Sequence, residues 1–151
     1  MPTSTLPNGY LKTSGNQIVG PDGIPVRIDA IGWSGADGGA GSTLRGLEYR
    51  SYQDILKTVK ADGFNTVRIA WSDVNLQAKA SASALQAYNP TLVGKTTLDI
   101  FKEIVRYASS IGLKIIFDHH TNEGGYSGWG GQQSNGLWYD LGPSGIPSFW
   151  L

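Results

Sequence analysis

The chain has 151 residues, and its twelve basic and twelve acidic side chains cancel. A neutral chain offers no electrostatic case for nucleic acid or an anionic membrane surface, and no apolar run approaches the roughly 20 residues of a membrane span. Cysteine is absent, which excludes disulfides, thiolate catalysis and cysteine-based zinc sites.

Met1 to Tyr10 carries no basic segment followed by an apolar one, so no signal peptide is visible. That pattern is shared by cytosolic proteins, mature forms and chains trimmed of an export signal. Glycine is abundant at 21 residues, with five tryptophans and seven tyrosines. The mixture suits aromatic-bearing loops on a rigid scaffold, although aromatics serve equally as core.

Leu11 to Val19 and Val26 to Trp33 read as two extended segments. Pro21-Asp22-Gly23 between them is a turn, because Pro presets φ and Gly tolerates positive φ. The pair is expected to form a hairpin leading into a first barrel strand, and residues 32–45, rich in Gly, Ser and Ala, a loop. Ser51 is an N-cap candidate with Asp54 three residues on. Tyr52, Ile55, Leu56 and Val59 then share one helix face, and Gly63 ends the helix. Asn65 to Trp71 is the second strand.

Val74 to Lys95 is an Ala/Ser-rich connection without a clear period. A second helix begins near Thr96 or Thr97, with Phe101, Ile104, Val105, Ala108 and Ile111 as its buried stripe and Gly112 as its stop. Lys114 to Asp118 is the third strand. Beyond His120 the periodicity dissolves, and Thr121 to Gly145 holds eight glycines in 25 residues.

Strand, helix, strand, helix, strand is the order of right-handed βαβ units in a parallel sheet. A closed (β/α)₈ barrel needs about 250 residues. The expected fold is therefore α/β: an incomplete (β/α)₈ TIM barrel, its first three βα units preceded by an N-terminal β-hairpin. Residues 1–151 would be a single partial domain without strands four to eight.

Side chains alternate along a strand. Val67, Ile69 and Trp71 should face the helices, and Thr66, Arg68, Ala70 and Ser72 the barrel interior. On the third strand Ile115, Phe117 and His119 face the helices, and Ile116, Asp118 and His120 the interior. Arg68, Asp118 and His120 thus meet near the carboxyl ends of neighbouring strands, where barrel active sites lie. Arg68 admits two readings: a buried pair with Asp118 or Asp73 that holds strands together, or a guanidinium that orients a catalytic carboxylate supplied from elsewhere. His120 is either a satisfied histidine at a strand end or a site residue. A metal at Asp118-His119-His120 is disfavoured, since adjacent strand residues point apart; no metal or cofactor is expected. Trp33 should reach the same mouth. Trp129 and Trp138, with Gln132, Gln133 and Asn135 between them, would suit a wall for a pyranose ring, whose C–H face stacks on aromatics.

Residues 65–73, Asn-Thr-Val-Arg-Ile-Ala-Trp-Ser-Asp, resemble the second-strand motif of glycoside hydrolase family 5, the cellulase family. Residues 113–120 are similar to its third-strand Asp-x-His pattern. Asn89-Pro90, Thr96 to Asp99, Ile111 to Leu113, Val26 to Trp33 and Leu137 to Tyr139 extend the likeness over about residues 9 to 140, nearest to bacterial endo-β-1,4-glucanases. The resemblance implies a secreted glycosidase that hydrolyses β-glucan with retention, using two glutamates about 5 Å apart. It implies that Arg68 hydrogen-bonds the nucleophile, that His120 serves the −1 subsite and that Trp33 lies near the minus subsites. The family's Asn-Glu-Pro acid/base and strand-seven nucleophile have no counterparts here: Asn122-Glu123 is followed by Gly124, and Glu48 and Glu103 fall in a loop and on a helix. No catalytic residue is therefore assigned, and the isolated chain is expected to be inactive. The partner is β-glucan or cello-oligosaccharide. Two alternatives stand beside this reading: a non-catalytic β-glucan-binding module using Trp33, Trp129 and Trp138, and a half-barrel completed by a complementing chain.

Overall fold

The structure, a computed structural model, describes residues 6–121. Two short strands, β1 (Lys12–Ser14) and β2 (Gln17–Val19), pair antiparallel, with Lys12 opposite Val19. Three further strands, β3 (Ala30–Trp33), β4 (Thr66–Ser72) and β5 (Lys114–Thr121), form a parallel sheet in that order. The main helices are α1 (Tyr52–Ala61), between β3 and β4, and α4 (Thr97–Ser110), leading into β5. Between β4 and α4 lie two one-turn helices, α2 (Asp73–Leu76) and α3 (Ala82–Leu85), and a 3₁₀ turn at Pro90–Leu92. No helix among the described residues is long and apolar enough to cross a membrane.

Both long helices start and stop on local chemistry. Ser51 Oγ accepts from Asp54 N at 3.1 Å, and Thr96 Oγ1 accepts from Asp99 N at 3.2 Å, each satisfying one orphan amide of a first turn. At the other ends Gly63 (φ +91°) and Gly112 (φ +76°) turn left-handed. Phe64 N then reaches back to Val59 O, and Leu113 N to Ala108 O, the Schellman closure that directs the chain straight into the next strand.

The core lies between one sheet face and these helices. Val67, Ile69 and Trp71 pack with Leu56, Ile100, Phe101, Ile104, Ala108 and Leu113. Burial of a Leu or Ile side chain such as Leu56 or Ile104 contributes roughly 1.5–3 kcal/mol. On α4, Ile100 joins the buried stripe while Val105 stays half-exposed. Among the described residues β5 pairs on one side only, with β4. Its Ile116 and Phe117 are accordingly exposed, although Phe117 touches the Phe101 ring at 5.3 Å between centroids.

Three expectations need correction. The antiparallel pair lies wholly inside the segment read as one strand, reversing at Gly15-Asn16 with Gly15 at φ +57°. The Pro21–Gly23 turn does reverse the chain, Val19 bridging Pro25 antiparallel and Val26 N donating to Ile18 O at 2.9 Å, but the strand that follows shortens to Ala30–Trp33. The third strand runs three residues past Asp118, to Thr121, because β4 continues beside it to Ser72. The connection 74–95 is ordered by burial of Leu85 and Leu92 and by Asn89, whose side chain bonds Leu47 O, Arg50 O and Tyr52 N.

Candidate functional site

Register sets the site. Ile31 aligns with Val67, Gly32 with Arg68, Val67 with Ile115 and Arg68 with Ile116. In a parallel sheet aligned residues share a face. Arg68, Ile116, Asp118 and His120 therefore occupy the face opposite the helices, with Arg68 midway along β4 and Asp118 and His120 beyond it toward the carboxyl end of β5.

Arg68 Nη2 donates to Asp118 Oδ2, and His120 Nδ1 lies 2.8 Å from the same oxygen. Arg68 Nη2 and His120 Nδ1 are 3.4 Å apart. One carboxylate oxygen thus organises both a guanidinium and an imidazole. An ionised carboxylate only accepts, so the ring must carry its proton on Nδ1 to bond there, and in the neutral ring Nε2 is then the acceptor nitrogen. The guanidinium has five donors and this cluster engages Nη2, which leaves the rest of the fork for a second acceptor. Arg68 keeps 44% of its side-chain surface exposed, and Asp118 25%. Such a half-exposed pair contributes little to stability, so the cluster's worth lies in orientation.

Above these strand ends lies the β3–α1 loop. Ser72 N donates to Ala36 O and Ser72 Oγ to Gly38 O. Asn75, fully buried, donates to Ala36 O and Ser42 O and accepts from Gly41 N. The loop is thereby pinned over the mouth, with Asp37 buried in it and accepting from Gly35 N at 2.7 Å. Asn75 and Ser72 carry no sequence signal of this role, because their partners lie more than thirty residues away.

The other candidates fall elsewhere. Trp33 aligns with the buried Ile69 and belongs to the helix-side core, beside Ile31, Ile55 and Val67. Its indole Nε1 donates to Arg45 O at 2.8 Å. It does not reach the face that carries Arg68, because the alternation that turns Arg68 inward turns Trp33 outward. Asp73 does not pair with Arg68; its Oδ1 lies 3.2 Å from His119 Nε2 on the helix side of the sheet. Trp129 and Trp138 lie outside the described residues.

The chain is similar to known proteins over most of its length. The family model Cellulase (glycosyl hydrolase family 5) matches residues 25–140. The endoglucanase of Paenibacillus polymyxa is 33% identical over 132 residues, covering 87% of this chain and 31% of that protein. The catalytic domain of the major endoglucanase from Xanthomonas campestris superposes with a TM-score of 0.67 at 27% identity, over 76% of this chain and 33% of that one. An endocellulase variant from Pyrococcus horikoshii, solved in complex with cellotetraose, superposes at 0.65 with 23% identity, over 78% and 32%, a likeness of fold. The chain spans about a third of the length of these relatives.

Proposed function

The chain belongs to glycosyl hydrolase family 5, and on that premise we propose that residues 1–151 are the N-terminal part of one (β/α)₈ catalytic domain of a retaining endo-β-1,4-glucanase. The observation that carries the reading is the convergence of Arg68, Asp118 and His120 on one sheet face, near the carboxyl ends of adjacent parallel strands. A site of this kind needs two carboxylates flanking the scissile bond, about 5 Å apart in a retaining enzyme. Neither described glutamate is available for that. Glu48 accepts from Gly46 N, and Glu103 on α4 pairs with Lys95 and Arg106. Both carboxylates would come from strands beyond this chain.

Within that arrangement Arg68 holds the nucleophile. Its guanidinium, anchored by Asp118, keeps the attacking carboxylate ionised and oriented without giving up a proton. His120, its ring fixed through Nδ1 by the same aspartate, meets a sugar hydroxyl beside the reacting carbon. Trp129 and Trp138 would supply stacking platforms. The substrate reading draws support from the cellotetraose complex of the Pyrococcus horikoshii endocellulase. Secretion draws support from the Xanthomonas campestris relative, a major extracellular endoglucanase 26% identical over 113 residues. By itself the chain binds cello-oligosaccharide and hydrolyses none.

Cellotetraose titrated into the 151-residue chain should shift the His120 ring resonances and quench tryptophan fluorescence, and Arg68→Ala should abolish the His120 shift. Reducing ends should not appear from carboxymethylcellulose. A folded chain that ignores cellotetraose, or one that turns over the polymer, contradicts the proposal.

A further inference from the structure

Residues 118–120 divide between the two sheet faces, Asp118 and His120 toward Arg68 and His119 toward the helices. At this point the ladder slips. Trp71 aligns with His119 but Ser72 aligns with Thr121, so His120 is an extra residue with no partner on β4. Bulges in parallel pairs are rare, and they re-aim side chains beside functional sites. This one sits at the end of a strand that is paired on one side only among the described residues. Such an end frays unless something anchors it.

The anchor is on the helix face. The His119 ring stacks on Trp71, centroids 4.6 Å apart and planes 22° apart, and its Nε2 lies 3.2 Å from Asp73 Oδ1. The contact is within ion-pair reach, though the ring N–H is not aligned on that oxygen for a hydrogen bond. Asp73 directly follows β4 and is 8% exposed. The pair therefore ties the end of β5 to the end of β4 at the level where the backbone register breaks. The neighbouring tie, Thr121 Oγ1 to Asp37 O, is 3.5 Å, too long to hold the strand by itself.

We propose that Asp73 is a positioning residue: acting through His119, it holds the bulged end of β5 so that His120 and Asp118 stay turned toward Arg68. The inference rests on the reading of that cluster as part of a β-glucan site. Asp73 touches neither sugar nor reacting atoms in this scheme.

The chain contains two histidines, so its imidazole NMR spectrum has two sets of signals to assign. Asp73→Asn keeps the side-chain shape and removes the charge, and His119→Phe keeps the stack on Trp71 and removes Nε2. Both should move the His120 ring signals toward those of a solvated imidazole and strip exchange protection from the 120 and 121 amides. The amides of α4 should keep theirs, which separates loss of the clamp from unfolding. Cellotetraose affinity should fall up to about tenfold, the order of one neutral hydrogen bond between His120 and a sugar hydroxyl. Asp73→Glu, which restores the carboxylate, should return the His120 signals part of the way. His120 signals unmoved in both Asp73→Asn and His119→Phe overturn the proposal. If they move but the unmodified chain binds no cellotetraose, the clamp stands and the β-glucan reading falls.

Discussion

Asn75 offers a quantitative test of how the mouth loop is held. Its side chain is fully buried and makes three bonds to the loop: to Ala36 O at 3.0 Å, to Ser42 O at 2.8 Å and from Gly41 N at 3.0 Å. In Asn75→Ala, Ser42 O and Gly41 N lose this partner, while Ala36 O keeps the bond from Ser72 N. At about 1 kcal/mol for each lost bond, the expected destabilisation is about 3 kcal/mol, a large part of the roughly 5–15 kcal/mol of a typical domain. Asn75→Asp preserves volume but sets an acceptor oxygen against two carbonyl oxygens, and at pH 7 it should cost about 4 kcal/mol. Burial raises the pKa of the introduced carboxyl, so its folded value lies above its unfolded one. That variant is then most stable at low pH and loses stability as pH rises through the folded pKa. Urea unfolding followed by tryptophan fluorescence at pH 5 and pH 7 reads both quantities. A cost below about 1 kcal/mol for Asn75→Ala, or no pH dependence in the difference between the two variants, would refute the reasoning.

Two ionisable groups make further predictions. Lys102 and then Thr96 hold the Asp99 carboxyl below its usual range, so its contribution is present above the ordinary carboxylate pKa and is lost as pH falls through the lowered one. Asp99→Asn should flatten the acid limb of the stability profile, and acid titration by circular dichroism checks it. Burial, with Glu103 and Tyr107 nearby, pushes the Tyr52 phenol above the ordinary tyrosine value. Its stabilising contribution is complete below that ordinary value and disappears as pH rises through the raised one; Tyr52→Phe should remove this alkaline loss, read by circular dichroism as pH is raised.

Much of this fold is legible because its signals are local. Ser51 and Thr96 cap, Gly63 and Gly112 stop, and the strands begin two or three positions later. Period-two alternation alone brings Arg68, Asp118 and His120 to one face. The same alternation, carried from Ile31 to Trp33, also turns Trp33 to the helix side, so the signal that corrects its placement was in the residues. Pro21-Asp22-Gly23 is legible as the turn that brings Pro25 antiparallel to Val19, whereas the tighter reversal at Gly15-Asn16 carries a weaker turn signal. Segment 74–95 escapes periodicity because its helices are single turns. Asn65, Asn75 and Asn89 are invisible to any pattern, since they staple backbone groups 33 to 42 residues away. The bulge at His120 is likewise a property of two strands together, and so is the clamp at His119.

On the proposed reading, this chain supplies the Arg68-centred part of a β-glucan hydrolase site whose carboxylates lie elsewhere. Residues 6–140 grafted in place of the matching part of the Paenibacillus polymyxa endoglucanase put it to the most direct test, read as reducing ends released from carboxymethylcellulose. The graft should hydrolyse the polymer, and Arg68→Ala should lower kcat about a hundredfold or more while the melting temperature barely moves. A folded graft whose kcat is indifferent to Arg68→Ala would contradict that reading.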